Sequence, residues 1–287
     1  MIKTHKQTEP DMARNAYLDL ISKVILNETN PENGARMNFL VDQIVTKKPP
    51  VDRVSLIAKL VQLCDEPEIQ EVLGDRYRPR HWWTKTLSFP FSMVGQKRLA
   101  NVRMACETVV ADKIDGAFVE TGVWRGGCCI MMKAVSKIYD DPRDVYVCDS
   151  FEGLPDLSKG PDAVLKLNEN PILTAPLPQV RSHFERLDML DENVHFIKGW
   201  FEDTMPALSK TGPERIAVLR LDGDYYKSTM DVLTTLYDKV PVGGFCIIDD
   251  YHAYEQCEQA VTEFRQSRNI TAEIQEIDGV GTYWRVE

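Results

Sequence analysis

Four carboxylates stand at the ends of two apolar runs. Asp222 and Asp224 lie in "LRLDGDYYKSTMDVLTTLY" (Leu219–Tyr237), and Asp249 and Asp250 close the apolar part of "GGFCIIDDYH" (Gly243–His252), with Asp249 27 residues after Asp222. Acids gathered in one cleft raise one another's pKa unless a counter-charge is present. A hard divalent cation is the simplest counter-charge. Mg2+ prefers carboxylate oxygens and keeps positions open for water or substrate oxygens. Asp222, Asp249 and Asp250 make the best ligand trio. Asp224, two residues past Asp222, then remains as a general base, with His252 as a second candidate. The plainer alternative is a polar turn at Asp222–Asp224 and a helix start at Asp249–Asp250. A lone histidine is also more often structural than catalytic.

A second constellation lies earlier in the chain. "FVETGVWRGGCC" (Phe118–Cys129) has the pattern of a strand, a Gly-rich turn and a helix start. Glycines there permit a tight turn and close backbone approach to a ligand. The spacing is not G-x-G-x-x-G, so a dinucleotide fingerprint fails. Glu120 leads the turn and would repel a pyrophosphate but suit an ammonium group. The next strand-like run ends in Asp149, 29 residues after Glu120. An acid at that point commonly accepts hydrogen bonds from ribose hydroxyls. One acid for an amine and one for a ribose fit S-adenosylmethionine, which carries no phosphate. Alternatively, the glycines simply make a tight strand-to-helix turn.

Such residues need a scaffold that brings strand ends together. From residue 96 onward, strand-like runs ("GAFVETG", "DVYVCDS", "VHFIKGW", "IAVLRLDGD", "GFCIIDDY", "AEIQEI", "TYWRVE") are interleaved with helix-like ones. That alternation predicts a mostly parallel sheet with helices on both faces. Ligands in such sheets bind at the carboxyl ends of the strands. If the strands ending at Asp222 and Asp249 are neighbours, all four carboxylates meet on one edge. Ser228 is the expected N-cap of the helix that follows Asp224. Gly153–Pro178, 26 residues with five prolines, is expected to be a mobile cover over the site.

Before residue 95 the pattern is helical. In "MARNAYLDLISKVILNE" (Met12–Glu28), Tyr17, Leu18, Ile21, Val24 and Ile25 share one face, and "RVSLIAKLVQLC" (Arg53–Cys64) behaves alike. "NPENGARM" (Asn30–Met37) is expected as a loop. The aromatic stretch "RPRHWWTKTLSFPFSM" (Arg78–Met93) suggests a linker or flap. The expected division is 1–92, a helical extension with an aromatic linker serving lid, substrate or oligomer contacts, and 93–287, the catalytic domain.

The chain has 287 residues, 43% hydrophobic content and a net charge of −10. With no basic block, nucleic acid and anionic membrane surfaces are disfavoured as partners. No apolar run is long enough to span a bilayer, and the N-terminus lacks a signal-like core. Seven cysteines without a C-x-x-C pair read as reduced thiols in a cytoplasmic protein.

Taken together, "FVETGVWRGG", "DSFEGLP", "FIKGWFEDTMP", "LRLDGDYYKSTMD" and "GGFCIIDDY", with the terminal "GTYWR", closely resemble the macrocin O-methyltransferase family, whose members methylate sugar hydroxyls on macrolide and aminocoumarin natural products. The match runs from about Met93 to Glu287, and "AYLDLISKV" also resembles the family. The resemblance implies a class I S-adenosylmethionine-dependent methyltransferase fold, a mostly parallel seven-stranded sheet, and Mg2+-dependent transfer to a hydroxyl. It places metal ligands on Asp222, Asp249 and Asp250 and the base on Asp224. Cofactor contacts fall on Glu120, Thr121, Gly122, Asp149 and Ser150, with Met93 and Trp200 added. The implied partner is a small hydroxylated, glycosylated acceptor, and the implied assembly a homo-oligomer, dimer or tetramer. Residues Asn27–Trp83 match no pattern of the family and are expected to shape the substrate pocket. Two other functions compete. Asp222–Gly223–Asp224 is also a D-x-D triplet of the kind that holds a metal on a sugar nucleotide in glycosyltransferases, although Glu120 and Asp149 leave no cradle for two phosphates. A non-catalytic cofactor-binding protein is the other, disfavoured by four intact aspartates.

Overall fold

The computed structural model describes residues 8–46, 55–56, 59–60, 90–157 and 159–287. Seven strands among these form one sheet: β1 (Ala117–Thr121), β2 (Val145–Asp149), β3 (Val194–Lys198), β4 (Ile216–Leu221), β5 (Phe245–Ile248), β6 (Gln275–Glu276) and β7 (Thr282–Arg285). Their order is β3-β2-β1-β4-β5-β7-β6. The first five run parallel, and β7 and β6 are added antiparallel at the edge. Successive residues in β1, β2 and β4 turn to opposite faces. Phe118, Val145, Val147 and Val218 enter one core, while Val119, Tyr146, Cys148 and Leu219 enter the other. Strands buried on both faces read as unbroken apolar runs, which accounts for "VYVC", "IAVL" and "FCII".

Eight helices among the described residues complete the layers: α1 (Glu9–Ile25), α2 (Pro31–Val45), α3 (Gly95–Ala111), α4 (Gly127–Ile138), α5 (Leu177–Arg186), α6 (Phe201–Thr211), α7 (Tyr226–Leu236) and α8 (Glu255–Ser267). Residues of α1, α3, α4 and α5 fill the first core, and residues of α6, α7 and α8 fill the second. The predicted apolar face of α1 is used: Leu18, Ile21 and Ile25 are buried in the same cluster as Val102 and Cys129. This part of the N-terminal segment therefore shares one core with the residues after 93. Among the described residues, no helix is long and apolar enough to cross a membrane.

Two local expectations are corrected. "NPENGARM" is not a loop but opens α2, with Pro31 in its first turn. Proline there gives up only an N–H that has no intrahelical partner anyway. The α6 helix, for which the sequence raised no expectation, carries Pro206 inside it, a residue that normally breaks helices. Ser228 does not cap α7; the helix begins two residues earlier, after Tyr225, without a cap from its own N-cap side chain. The expected helix Arg53–Cys64, apart from residues 55–56 and 59–60, and the aromatic stretch through Phe89 lie outside the described residues.

Candidate active site

The sheet order sets the location. β1 lies between β2 and β4, so the chain leaves it in opposite directions on its two sides, and a crevice opens at the carboxyl ends there. A cavity of about 490 Å3 occupies it. The strands run together up to the acids: the Asp222 N–H donates to the Thr121 carbonyl (2.8 Å), and the Asp249 N–H to the Leu221 carbonyl (2.9 Å). β4 and β5 are adjacent, with Leu221 opposite Ile248. The condition for convergence of the four carboxylates is therefore met. Gly122 permits the approach. Its φ is +82°, and a Cβ there would lie 1.7 Å from the Asp222 carbonyl oxygen.

At the β4–β5 end, Asp222, Asp224 and Asp250 each offer a carboxylate oxygen, and these oxygens lie within 4.8 Å of one another. Asp224 takes the left-handed conformation (φ +57°), which aspartate tolerates better than most residues. Burial, then the charge of Asp249, pushes the Asp222 carboxyl above the ordinary range. Burial and the charges of Asp224, Asp222 and Asp249 push Asp250 well above it. Acids so crowded suit a hard cation with oxygen ligands, so this donor set fits Mg2+.

Asp249 is placed differently from the expectation. It is 3% exposed. One of its carboxylate oxygens receives the Arg98 guanidinium and the other that of Arg220. Arg98 also pairs with Asp278 (3.1 Å), and Arg220 reaches both Asp222 (3.0 Å) and Glu120. Burial alone would lower the pKa of Arg220, but Asp249 and the neighbouring anions raise it well above normal. Arg220 thus remains charged and ties the β4–β5 acids to β1. Glu120 lines the cavity but is only 1% exposed. It pairs with Arg220 and accepts a 2.7 Å hydrogen bond from the Cys129 thiol. Burial pushes its pKa up to about 7 against the pull of Arg220.

The β1–β2 end is built from backbone. Asp149 accepts N–H bonds from Val123 (2.8 Å), Trp124 (3.3 Å) and Phe151 (2.7 Å). Burial raises its pKa, and these donors oppose the rise. Ser150 turns its hydroxyl to the Gly153 carbonyl (2.6 Å). Met93, Gly122, Asp149, Ser150 and Trp200 all line the cavity. Thr121 does not: it is fully buried and donates to the Arg220 carbonyl (3.3 Å). Its hydroxyl supports the strand junction rather than facing a ligand.

His252 is corrected as a candidate base. Its ring nitrogens face Glu276 (2.8 Å) and Glu258 (3.7 Å), and it is absent from the cavity lining. The chain turns at Tyr251–His252, and the His252 N–H donates to the Val280 carbonyl (2.9 Å). That holds the residue on the outer side of the strand edge.

The family model described as "Macrocin-O-methyltransferase (TylF)" matches residues 14–286. The chain belongs to this family. It is 41% identical over 278 residues to the 8-demethyl-8-(2,3-dimethoxy-alpha-L-rhamnosyl)-tetracenomycin-C 4'-O-methyltransferase of Streptomyces olivaceus, covering 95% of this chain and 93% of that one. It is 37% identical over 291 residues to the demethyldecarbamoylnovobiocin O-methyltransferase of Streptomyces niveus, covering 99% and 98%. Among solved structures, the O-methyltransferase NovP superposes with a TM-score of 0.71 at 35% identity, covering 95% of this chain and 99% of that one. The class I methyltransferase fold is thereby shown, and the chain is an O-methyltransferase. A glycosyltransferase or a non-catalytic binding protein no longer stands.

Within this macrocin O-methyltransferase family member, three residues escaped sequence reasoning. Arg220 had a usable signal: an arginine inside an otherwise apolar, fully buried strand, one residue from an acid run. Arg98 carried no such mark, since one arginine in a helix is ordinarily solvated. Asp162 was also missed. It is 3% exposed and lies in the Pro-rich segment. That segment is folded into three short 3-10 turns (Pro161–Val164, Leu167–Glu169, Pro171–Leu173). It contributes Leu154, Pro155, Leu157, Leu167, Ile172 and Leu173 to the cavity wall.

Proposed function

We propose that this enzyme transfers the methyl group of S-adenosylmethionine to a hydroxyl of a sugar or other hydroxylated natural-product intermediate, with Mg2+ as cofactor. The observation that carries the reading is the juxtaposition of an acid at the β2 end with a carboxylate cluster at the β4–β5 end of one cavity. The relatives' names support the acceptor class: one acts on a rhamnosylated tetracenomycin and another on demethyldecarbamoylnovobiocin. An antibiotic biosynthetic setting belongs to the same proposal, as does a cytoplasmic location. We extend the proposal to a homo-oligomeric assembly, which sedimentation velocity tests.

When bound, the sulfonium cofactor supplies the methyl and the cation lowers the pKa of hydroxyls chelated to it. The protein's own part is positioning and proton transfer. Asp149 orients the ribose, with Gly122 and Ser150 beside it and Met93 and Trp200 closing the pocket. Glu120, which lines the cavity and is paired with Arg220, would accept a hydrogen bond from the cofactor's amine. Mg2+ is commonly held by one or two carboxylates plus waters and substrate oxygens, so Asp222 and Asp250 suffice. That leaves Asp224 to take the proton as the acceptor oxygen attacks. Asp249, expected as a third ligand, would have to exchange an arginine for the ion. A second reading makes Asp224 the third ligand, favoured by the mutual distances of the trio. The apolar inner wall of Gly153–Pro178 excludes water from the reacting oxygen.

Calorimetry and a methyl-transfer assay test the reading. S-adenosylhomocysteine should bind, nucleoside diphosphate sugars should not, and a glycosylated acceptor should be methylated with loss of turnover in EDTA. Full turnover in EDTA-treated, metal-free protein would overturn the Mg2+ part, and failure to bind S-adenosylhomocysteine the cofactor part.

A further inference from the structure

The helix that follows the aspartate turn is capped from elsewhere in the chain. The N-cap residue of α7, Tyr225, gives no side-chain cap. Its first two N–H groups, of Tyr226 and Lys227, donate to the two carboxylate oxygens of Asp162 (2.7 and 3.0 Å). Asp162 is 64 residues before Tyr226, in the Pro-rich wall, and is 3% exposed. Two further bonds join wall and site: the Leu167 N–H donates to the Tyr225 hydroxyl (3.1 Å), and the Trp124 indole N–H to the Ile172 carbonyl (2.8 Å). A helix N-terminus leaves several N–H groups unsatisfied, and a side-chain carboxylate is a strong acceptor for them. Here that acceptor is the wall itself, and the residue two places before Tyr226 is Asp224.

We propose that Asp162 is a positioning residue for the metal site: by capping α7 it holds the Asp222–Gly223–Asp224 turn in the arrangement that receives the cation. The turn itself is built of pliable parts. Its middle residue is a glycine, Asp224 is in the left-handed region, and the Tyr225 N–H bonds the Gly223 carbonyl within the turn. The wall therefore does more than cover the cavity. Its seating and the order of the carboxylates are one event, so loosening the wall weakens the cation site while the cofactor acid Asp149, seated on backbone N–H groups of the loops after β1 and β2, is left alone.

This inference rests on the Mg2+ reading above, and its test separates the two. The measurements are calorimetric binding of Mg2+ and of S-adenosylhomocysteine, and amide hydrogen exchange at Tyr226 and Lys227, on the full chain. Asp162→Ala should speed exchange at both amides and weaken Mg2+ binding by on the order of 3- to 30-fold, the range that corresponds to losing a helix N-cap. S-adenosylhomocysteine affinity should change less than about 2-fold. Asp162→Asn keeps one acceptor oxygen but turns an NH2 donor toward the second N–H, so it should recover only part of the Mg2+ affinity and of the amide protection. If the Asn variant protects either amide better than the Ala variant but binds Mg2+ no better, removal of charge and not of the cap is responsible, and the proposal fails. It fails also if Asp162→Ala binds Mg2+ as the wild type does. A wild-type protein that binds no Mg2+ overturns the metal reading first, and this inference with it.

Discussion

The two ends of the cavity hold acids by different means. At the β2 end, Asp149 is surrounded by three backbone N–H groups. At the β4–β5 end, Asp222 and Asp249 are met by the guanidinium groups of Arg220 and Arg98, and Asp250 sits among other carboxylates. Backbone dipoles neutralise no charge but are fixed by the fold, so one acid can be kept there without an ion. A cluster cannot be kept that way. Asp222, Asp249, Asp278 and Glu120 share two arginines, with Asp224 and Asp250 close to Asp222, and the excess of carboxylates is what a dication would meet. The difference teaches that the β2 end is pre-formed by local chain geometry, whereas the β4–β5 end is a charge balance set by arginines from distant parts of the chain.

Substitutions in the cluster give the largest effects and ask which acids are ligands. Asp224→Asn keeps shape but removes the proposed base, and kcat should drop on the order of 10²–10⁴-fold with no rescue by added Mg2+. Asp250→Asn should instead raise the Mg2+ requirement, with partial rescue at high concentration. Steady-state kinetics across a Mg2+ titration distinguish the two patterns. Rescue of Asp224→Asn by Mg2+ would move Asp224 into the ligand set. Asp249→Asn run alongside shows whether the arginine-held acid behaves as a ligand after all.

The cofactor end should respond more mildly and independently of metal. Asp149→Ala removes charge-assisted acceptance from ribose hydroxyls and should weaken S-adenosylhomocysteine binding by about 1.5–3 kcal/mol, with the Mg2+ dependence of turnover unchanged. Calorimetry in EDTA and in Mg2+ checks both parts. An unchanged affinity would remove Asp149 from the cofactor site.

A third effect, on stability rather than on turnover, concerns Glu120, where the two ends meet through Arg220. Its folded pKa is raised to about 7, from an ordinary 4.5, by burial. A raised carboxyl favours the protonated folded form, so its contribution is full below pH 4.5 and is lost as the pH rises through 7. The stability of metal-free wild type relative to Glu120→Gln should therefore fall by about 2–4 kcal/mol over that window. Thermal melts at a series of pH values measure it. A flat difference would mean that Arg220 already compensates Glu120 fully.

Much of this was legible in the one-dimensional pattern. Apolar runs of strand length ending in acids, a Gly-rich turn, and alternation with helix-like segments specify a parallel sheet with its ligands at the carboxyl ends. Parallel strands are buried on both faces and strand ends are where loops begin, so chemistry-bearing residues must appear at those junctions. The runs ending at Thr121, Asp149, Leu221 and Ile248 marked the cavity rim in this way. Only the tertiary structure decided which carboxylate meets which partner. Asp249 and Asp250 are adjacent in sequence, yet one faces two arginines and the other joins Asp222 and Asp224. Adjacent residues leave a strand end toward opposite sides, and what waits on each side comes from segments distant in the chain. Arg98 is 151 residues from Asp249, and Asp162 is 64 from Tyr226. Likewise His252 was the second candidate base, but the turn after β5 carried it out to Glu276. Local pattern determines where a strand ends and which residue types stand there; long-range packing sets their charge partners, because those partners are chosen by distance in space and not along the chain.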